Sequence, residues 1–305
     1  MFSNNTQNKY LIFSNKEKIT RNREKANKRY IESAASYEKC VKDCFLNAEE
    51  ELMIVKCYEN CLKQFFVHFN PKNEPVPKEV KGTAFHFYKR FFIVSSVMDY
   101  HPSEIMLTCI YLACKICDYA VSIDMFVRSI GGDPRLMKFI ILDQEIEVLY
   151  RLGFRLHISL PHRCIEEYMT QIRDQANLEK PEKLYYPINR FLGSMWFTDI
   201  CLLYSPTLIA LAAVMQGVSR CRENIDHFVN HNLLGCLPEN KRKDVLLIVR
   251  DIRSTVIKSG SPPKIEEIAE LEKKLAICRN PMNNPTSNVF KQRMMEGFAM
   301  ESNGK

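Results

Sequence analysis

Glycine is scarce in this chain, at 10 of 305 residues, where an average globular protein carries roughly 7%. Tight turns, β-hairpins and phosphate-cradling loops draw on glycine, so the shortage points away from β-rich and nucleotide-binding folds and toward helices. Proline is also sparse, at 14. No uninterrupted apolar run approaches the ~18–20 residues of a membrane span. The first thirty residues alternate Asn, Lys, Arg and Glu, unlike a secretory signal, so an intracellular protein is expected. A Walker loop, a dinucleotide fingerprint, a Gly-x-Ser-x-Gly elbow and a zinc-protease His-Glu pair are all missing. The histidines are dispersed, and only His227 and His231 share an i, i+4 face. Asp143, Glu145 and Glu147 alternate along one segment and do not converge as an acid/base pair. No catalytic residue and no cofactor are therefore expected.

The 12 cysteines are spread through apolar segments, as at Cys109, Cys114 and Cys201. Cys114 and Cys117 form one Cys-x-x-Cys, while Cys40/Cys44 and Cys57/Cys61 are i, i+4 pairs. A structural zinc needs four convergent ligands, usually from two such clusters, and none of these pairs has a second half. The expectation is no metal, with reduced thiols packed as small hydrophobes.

Charge is uneven. The chain carries a net +7, and residues 1–31 hold eight Lys/Arg against Glu17 and Glu24. The near-neutral remainder argues against a broad nucleic-acid surface, which would need a basic face to meet the phosphates.

Apolar spacing predicts helices almost throughout. Ser14 opens a first helix to Tyr30, with Glu17 in capping-box position and a thin stripe of Ile19, Arg23, Ala26 and Tyr30. Residues 32–47 read as irregular. Ala48–Phe69 and Pro77–Val94 carry long amphipathic stripes, and Pro102 starts a helix, through Ile105–Cys114, with almost no polar face. Asp124–Ser129 is a short helix. Leu136–Leu152 follows, with Phe139, Ile140, Ile146 and Leu149 expected inward. Helices are also expected over His162–Gln175, through Arg190-Phe191 to Phe197, over Lys241–Lys258 and over Ile265–Cys278. Asn280 onward, rich in Asn, Pro and Met, reads as a flexible tail.

The second half repeats the first. Tyr204-Ser-Pro-Thr-Leu-Ile-Ala-Leu echoes Tyr100-His-Pro-Ser-Glu-Ile-Met-Leu at an offset of 104, each opening an apolar helix at a proline. Arg190-Phe191 precedes the second copy as Arg90-Phe91 precedes the first. The predicted organisation is all-α, with two five-helix repeats: a basic helix and irregular segment over 1–47, repeats over 48–159 and 160–259, a C-terminal helix over 260–280, and a flexible tail over 281–305.

Several strings are more specific. Val80-Lys-Gly-Thr-Ala84, Tyr88-Lys-Arg-Phe-Phe92, Ser96-Val-Met-Asp-Tyr-His-Pro102, Leu112-Ala-Cys-Lys115 and Leu202-Leu-Tyr-Ser-Pro206 resemble the cyclin family, in particular the regulatory subunits of cyclin-dependent-kinase-activating kinase. The resemblance runs from about residue 10 to 280. It implies two cyclin-box repeats and a non-catalytic subunit that binds and activates a cyclin-dependent kinase. Such a kinase acts on the activation loops of other kinases and on the C-terminal domain of RNA polymerase II within TFIIH. The implied partners are the kinase catalytic subunit and a RING-finger assembly factor, and the implied location is nuclear.

Lys115 matches the family's kinase-contacting lysine in Leu-Ala-x-Lys. Glu145 matches its partner glutamate, seven residues before Leu152-Gly-Phe154. From the residues alone, Lys115 is a cation at a helix C-terminus, worth ~0.3–1 kcal/mol there, and Glu145 is a solvated acid. Departures accompany the match: Lys89 stands where cell-cycle members carry aspartate, and their substrate-docking patch would fall at Ile54-Val-Lys-Cys-Tyr58. The rival readings are a nucleic-acid-binding transcription factor of the same repeats, expected to show a basic body and an N-terminal zinc ribbon, and a non-activating helical scaffold.

Overall fold

The computed structural model describes residues 6–37, 45–176 and 178–303, and among these there is no strand. The helices in chain order are α1 (Thr6–Tyr10), α2 (Lys16–Tyr37), α3 (Ala48–His68), α4 (Lys78–Val94), α5 (Pro102–Ile116), α6 (Ile123–Ile130) and α7 (Pro134–Arg151). They continue with α8 (Pro161–Gln175), α9 (Tyr185–Met195), α10 (Ile200–Leu203), α11 (Pro206–Cys221), α12 (Glu239–Lys258), α13 (Ala269–Cys278) and α14 (Asn288–Asn303). The chain divides into two compact units. One comprises Glu17–Leu156 with Pro262–Lys305, the other Met1–Lys16 with His157–Ser261.

In the first unit α5 is the axis. Ile105, Cys109, Ile110, Leu112, Ala113 and Cys114 are buried around its whole circumference, so α3, α4 and α7 must pack on it. Its start is set by Pro102 at the first helical position and by His101, whose Nδ1 accepts from the Ser103 N–H at 3.3 Å. A capping box begins α3: Asn47 Oδ1 accepts from the Glu49 and Glu50 amides at 3.0 and 2.9 Å, and Glu50 Oε2 accepts from the Asn47 amide at 2.8 Å. Glu50 also takes Lys274 Nζ at 2.8 Å, so one carboxylate caps α3 and holds α13 against it.

Helix α2 and the segment around α13 both fold onto this unit. Asn27 Nδ2 on α2 donates to the Leu46 carbonyl at 2.8 Å, Arg29 to the Val94 carbonyl at 2.5 Å, and the Tyr30 hydroxyl to the Cys278 carbonyl at 2.8 Å. The helix starts at Lys16, later than Ser14. It runs on through 32–37, where irregular chain was expected, because no glycine or proline interrupts it. Residues 38–44, with Cys40 and Cys44, lie outside the described residues.

The C-terminal segment departs further from expectation. Residues 288–303 form α14, where composition pointed to a flexible tail. Phe290 is 1% exposed with its ring edge-on to Phe139 at 5.6 Å, and Arg293 pairs with Asp143 at 2.7 Å. Polar composition hid one apolar anchor and one ion pair, which suffice to seat the helix on α7.

Two acidic groups lie deep in this unit. Lys89 on α4 and Glu59 on α3 pair at 2.5 Å with 1% and 2% side-chain exposure. Glu51 accepts from the Ser96 hydroxyl. Its burial pushes the carboxyl up to about 7, against the lowering effect of bonds from Ser96, Asn27 and the Val97 and Met98 amides. Arg90 is likewise buried. It donates to the Leu152 and Arg155 carbonyls at 2.6 and 2.8 Å and so closes the C-terminal end of α7.

In the second unit α11 plays the part of α5. Ile209, Leu211, Ala212, Ala213 and Val214 are buried, and Pro206 again occupies the first turn. Gly217 allows α9 close: a Cβ there would lie 2.8 Å from Ile188 Cγ1. A single π turn over Phe228–Leu233 stacks His227 and His231, ring centroids 4.5 Å apart. The segment before α2 belongs here. Gln7 brackets Ser159, donating to its carbonyl at 3.2 Å and accepting from its amide at 2.6 Å, and the Phe13 amide donates to the Leu202 carbonyl at 2.8 Å.

Two stability predictions follow from the buried acids. Lys89→Met leaves Glu59 buried beside an apolar side chain and should cost ~3–5 kcal/mol, while Glu59→Leu with Lys89→Met should recover most of it. Urea unfolding of the three proteins checks this, and a single variant within 1 kcal/mol of wild type, on the order of a surface change, contradicts it. Because the folded pKa of Glu51 is raised, the folded state binds its proton more tightly than the unfolded chain. This group's contribution is full below pH ~4.5 and is lost as the pH rises to about 7, on the order of 3 kcal/mol. Glu51→Gln should therefore gain stability relative to wild type at pH 8 but not at pH 4.5.

Candidate functional site

Lys115 and Glu145 come together. Lys115 Nζ lies 2.7 Å from Glu145 Oε1 and 2.8 Å from Oε2, with 43% and 17% side-chain exposure. The lysine also sits 4.6 Å over the Tyr111 ring. It ends α5, where the helix dipole favours a cation, and the glutamate stands on α7, which crosses α5. The acids beside it are each engaged separately: Asp143 with Arg293, and Glu147 with Arg151 at 2.5 Å.

Beside the pair lies an apolar surface. Ile146, expected in the core, is 63% exposed. The buried face of α7 is Ile140, Ile141, Gln144 and Val148, which leaves Leu142, Ile146 and Tyr150 on the solvent side at 39, 63 and 67%. Phe139 and Asp143 lie on this same side, one turn earlier, under α14. Phe154 extends the strip, 61% exposed. Gly153 and Phe154 both take left-handed φ, at +61° and +54°. Glycine adopts that conformation freely, and the phenylalanine is held in it by its amide bond to the Leu149 carbonyl at 3.0 Å.

The resemblance implied the two residues of the ion pair, and the strip was not part of it. The signal was available: apolar residues of α7 fall at more angles than one buried face can take, so some had to face outward.

The segment Ile54–Tyr58 presents little apolar surface, since Ile54, Val55 and Cys57 are buried and Lys56 faces solvent. Cys114 is buried and Cys117 Sγ donates to Thr83 at 3.5 Å. Among the described residues no group of three or more His, Cys, Asp or Glu could hold a metal ion.

The arrangement is suited to binding. An exposed apolar helix face flanked by a preformed, partly exposed ion pair has the features that helix-in-groove contacts use. Glu145→Gln should change the chain's own stability by less than ~1 kcal/mol, because a pair this open to water contributes little to folding. Thermal unfolding checks it, and a larger loss would make the pair a structural strut.

Comparison with known proteins places these elements. Residues 67–157 match the model "Cyclin, N-terminal domain" and residues 160–257 the model "Cyclin C-terminal domain". A Xenopus laevis protein named Cyclin-H is 35% identical over 288 residues, covering 92% of this chain and 87% of that protein. Among solved structures, a chain of the CAK complex from Chaetomium thermophilum superposes with a TM-score of 0.80 at 23% identity, covering 98% of this chain and 94% of that one. A chain of the yeast TFIIK (Kin28/Ccl1/Tfb3) complex gives a TM-score of 0.61 at 23% identity, with 83% and 99% covered.

Proposed function

The chain belongs to the cyclin family, and from that premise we propose that it is the cyclin-H-type regulatory subunit of a CDK-activating kinase. The observation that carries the proposal is the exposed strip Leu142, Ile146, Tyr150 and Phe154 beside the Lys115–Glu145 pair. Its partner is a cyclin-dependent kinase catalytic subunit, whose regulatory helix lays its apolar side on this strip while polar groups on the helix flank meet Lys115 and Glu145.

The chain supplies binding free energy and no chemistry. A kinase whose Lys–Glu ion pair and activation loop must be in place before phosphoryl transfer is inactive while its regulatory helix sits outward. A subunit that binds only the inward position moves that equilibrium by its difference in affinity for the two states. About 5.5 kcal/mol carries it from 1% to 99% active. A rigid strip on a helix anchored by α5 is suited to that task, because little of the binding energy goes into ordering the surface.

The same reading assigns a RING-finger assembly factor as a further partner, membership of a TFIIH-type assembly, a nuclear location, and the RNA polymerase II C-terminal domain among the kinase's substrates. The near-neutral body of the chain favours this over a nucleic-acid-binding role.

The experiment is kinase affinity measured by calorimetry. Ile146→Asp sets a charge in the middle of the apolar strip and should weaken binding about 100-fold or more, on the scale of an interface hot spot. Lys115→Ala with Glu145→Ala should weaken it about tenfold. Unchanged affinity in both variants, with helical content retained, would remove this surface from the interface.

A further inference from the structure

The duplication supplies a second surface, equivalent in position to the first but basic where the first is apolar beside a neutral ion pair. Aligning the buried faces of α7 and α12 sets Ile141, Gln144 and Val148 over Val249, Ile252 and Val256. On the outer side, Leu142, Glu145 and Tyr150 of the first unit then become Arg250, Arg253 and Lys258 in the second, and Leu149 becomes Ile257. The carboxylate that partners Lys115 has no counterpart there: an arginine stands at its place.

The surrounding helices continue the change. Arg90 is buried on the carbonyls that end α7, but Arg190, at the matching point of the repeat, is exposed. It lines a cavity of about 470 Å³ together with Lys183, Tyr186, Phe191, Arg220 and Ile257. Arg253 Nε is oriented by Gln216 Oε1 at 3.0 Å, and Gln216 itself lines the cavity. Lys183, Arg190, Arg220, Arg250, Arg253 and Lys258 have no ion-pair partner among the described residues. Nearby acids are engaged elsewhere: Glu182 with Arg173 at 3.7 Å, and Asp251 accepting from the Tyr204 hydroxyl at 2.6 Å.

Lys183, Arg190 and Arg220 line this cavity, and Arg250, Arg253 and Lys258 line an adjoining hollow that shares Ile257 with it; like charges gathered in this way repel one another, so the arrangement fits a surface that awaits negative charge. Its apolar features narrow the choice. Tyr186 and Ile257 stand 76% and 56% exposed at the mouth, with Phe191 and Val256 buried among the lining residues. A bare phosphate backbone uses none of these, whereas a bulky side chain flanked by carboxylates uses both.

We propose that the α9–α11–α12 cleft of the second unit docks an acidic segment of a partner protein, an apolar side chain entering between Tyr186 and Ile257 while its flanking carboxylates pair with Arg190, Arg220 and Arg253. The Gly217 contact fixes α9 against α11, so the cleft is preformed and does not depend on the α7 surface.

The test uses the full chain and a fluorescein-labelled peptide of about twelve residues in which Leu and Phe are set between pairs of Glu, read by anisotropy. Saturable binding is expected, weakening with added salt and reduced about tenfold or more by Arg220→Glu with Arg253→Glu. The same loss is expected for Lys183→Glu with Arg190→Glu, both exposed and both lining the cavity, and a smaller loss for Ile257→Ser. Lys115→Ala with Glu145→Ala should bind the peptide as wild type does, which separates this site from the kinase surface. Equal binding by wild type and the charge-reversed variants overturns the proposal. So does displacement of the peptide by a single-stranded oligonucleotide at lower concentration, which would make the cleft a nucleic-acid site.

Discussion

A helix with no polar face cannot be left at a surface, and most of the first unit follows from α5 being one. Its apolar side chains can leave water only if other helices surround it, and α3, α4 and α7 do so. The central helix can meet solvent only at its ends. At one end Pro102 and His101 begin it without an orphaned donor, and at the other Lys115 is the first side chain free to reach outward. The site is thus a consequence of the packing: the cation stands where the buried helix emerges, and α7 must pass close by because it helps to cover that helix.

Polar groups inside this unit fix orientation more than they add stability. The Lys89–Glu59 pair joins α4 to α3 with almost no exposure. In such a place the cost of desolvating two charges consumes most of their attraction. What the pair does supply is register, since a slide of one helix along the other would break it inside the core. Arg90 works similarly on the end of α7, with its pKa lowered to about 10 by burial, close to Arg155, yet still charged at neutral pH. Glu50 and Arg279 carry the same logic to the chain's C-terminal segment. Glu50 caps α3 and binds Lys274, while Arg279 joins Glu104 at 2.6 Å and the Asn283 carbonyl at 2.5 Å.

Much of this was legible in the sequence, for physical reasons that can be named. Pro102 and Pro206 mark helix starts because proline lacks the N–H that a first-turn residue does not need. The all-apolar runs after them could only be central helices, whereas Lys115 and Glu145 were implied by the resemblance to the cyclin family, at the positions that match its Leu-Ala-x-Lys motif and the glutamate before its Leu-x-Phe. The Lys89–Glu59 pair was not legible, because Glu59 sits among Lys56, Asn60 and Lys63 and reads locally as a solvated residue. Burial there is decided by α4, thirty residues away. The outward turn of Ile146 was hidden in the same way: an apolar residue on a helix reads as core until the helix proves to have two apolar sides. For α14, one phenylalanine and one arginine in a polar segment outweigh its composition, and the surface that receives them lies on α7.

The central claim is that this chain switches on a kinase by binding it. The most direct measurement mixes the purified chain with the inactive catalytic subunit of a CDK-activating kinase and follows phosphate transfer to an activation-loop peptide and to an RNA polymerase II C-terminal-domain peptide. The account predicts transfer in the mixture and none from either protein alone. A stable complex that leaves the kinase silent would contradict it, and would make the α7 surface a docking site without an activating role.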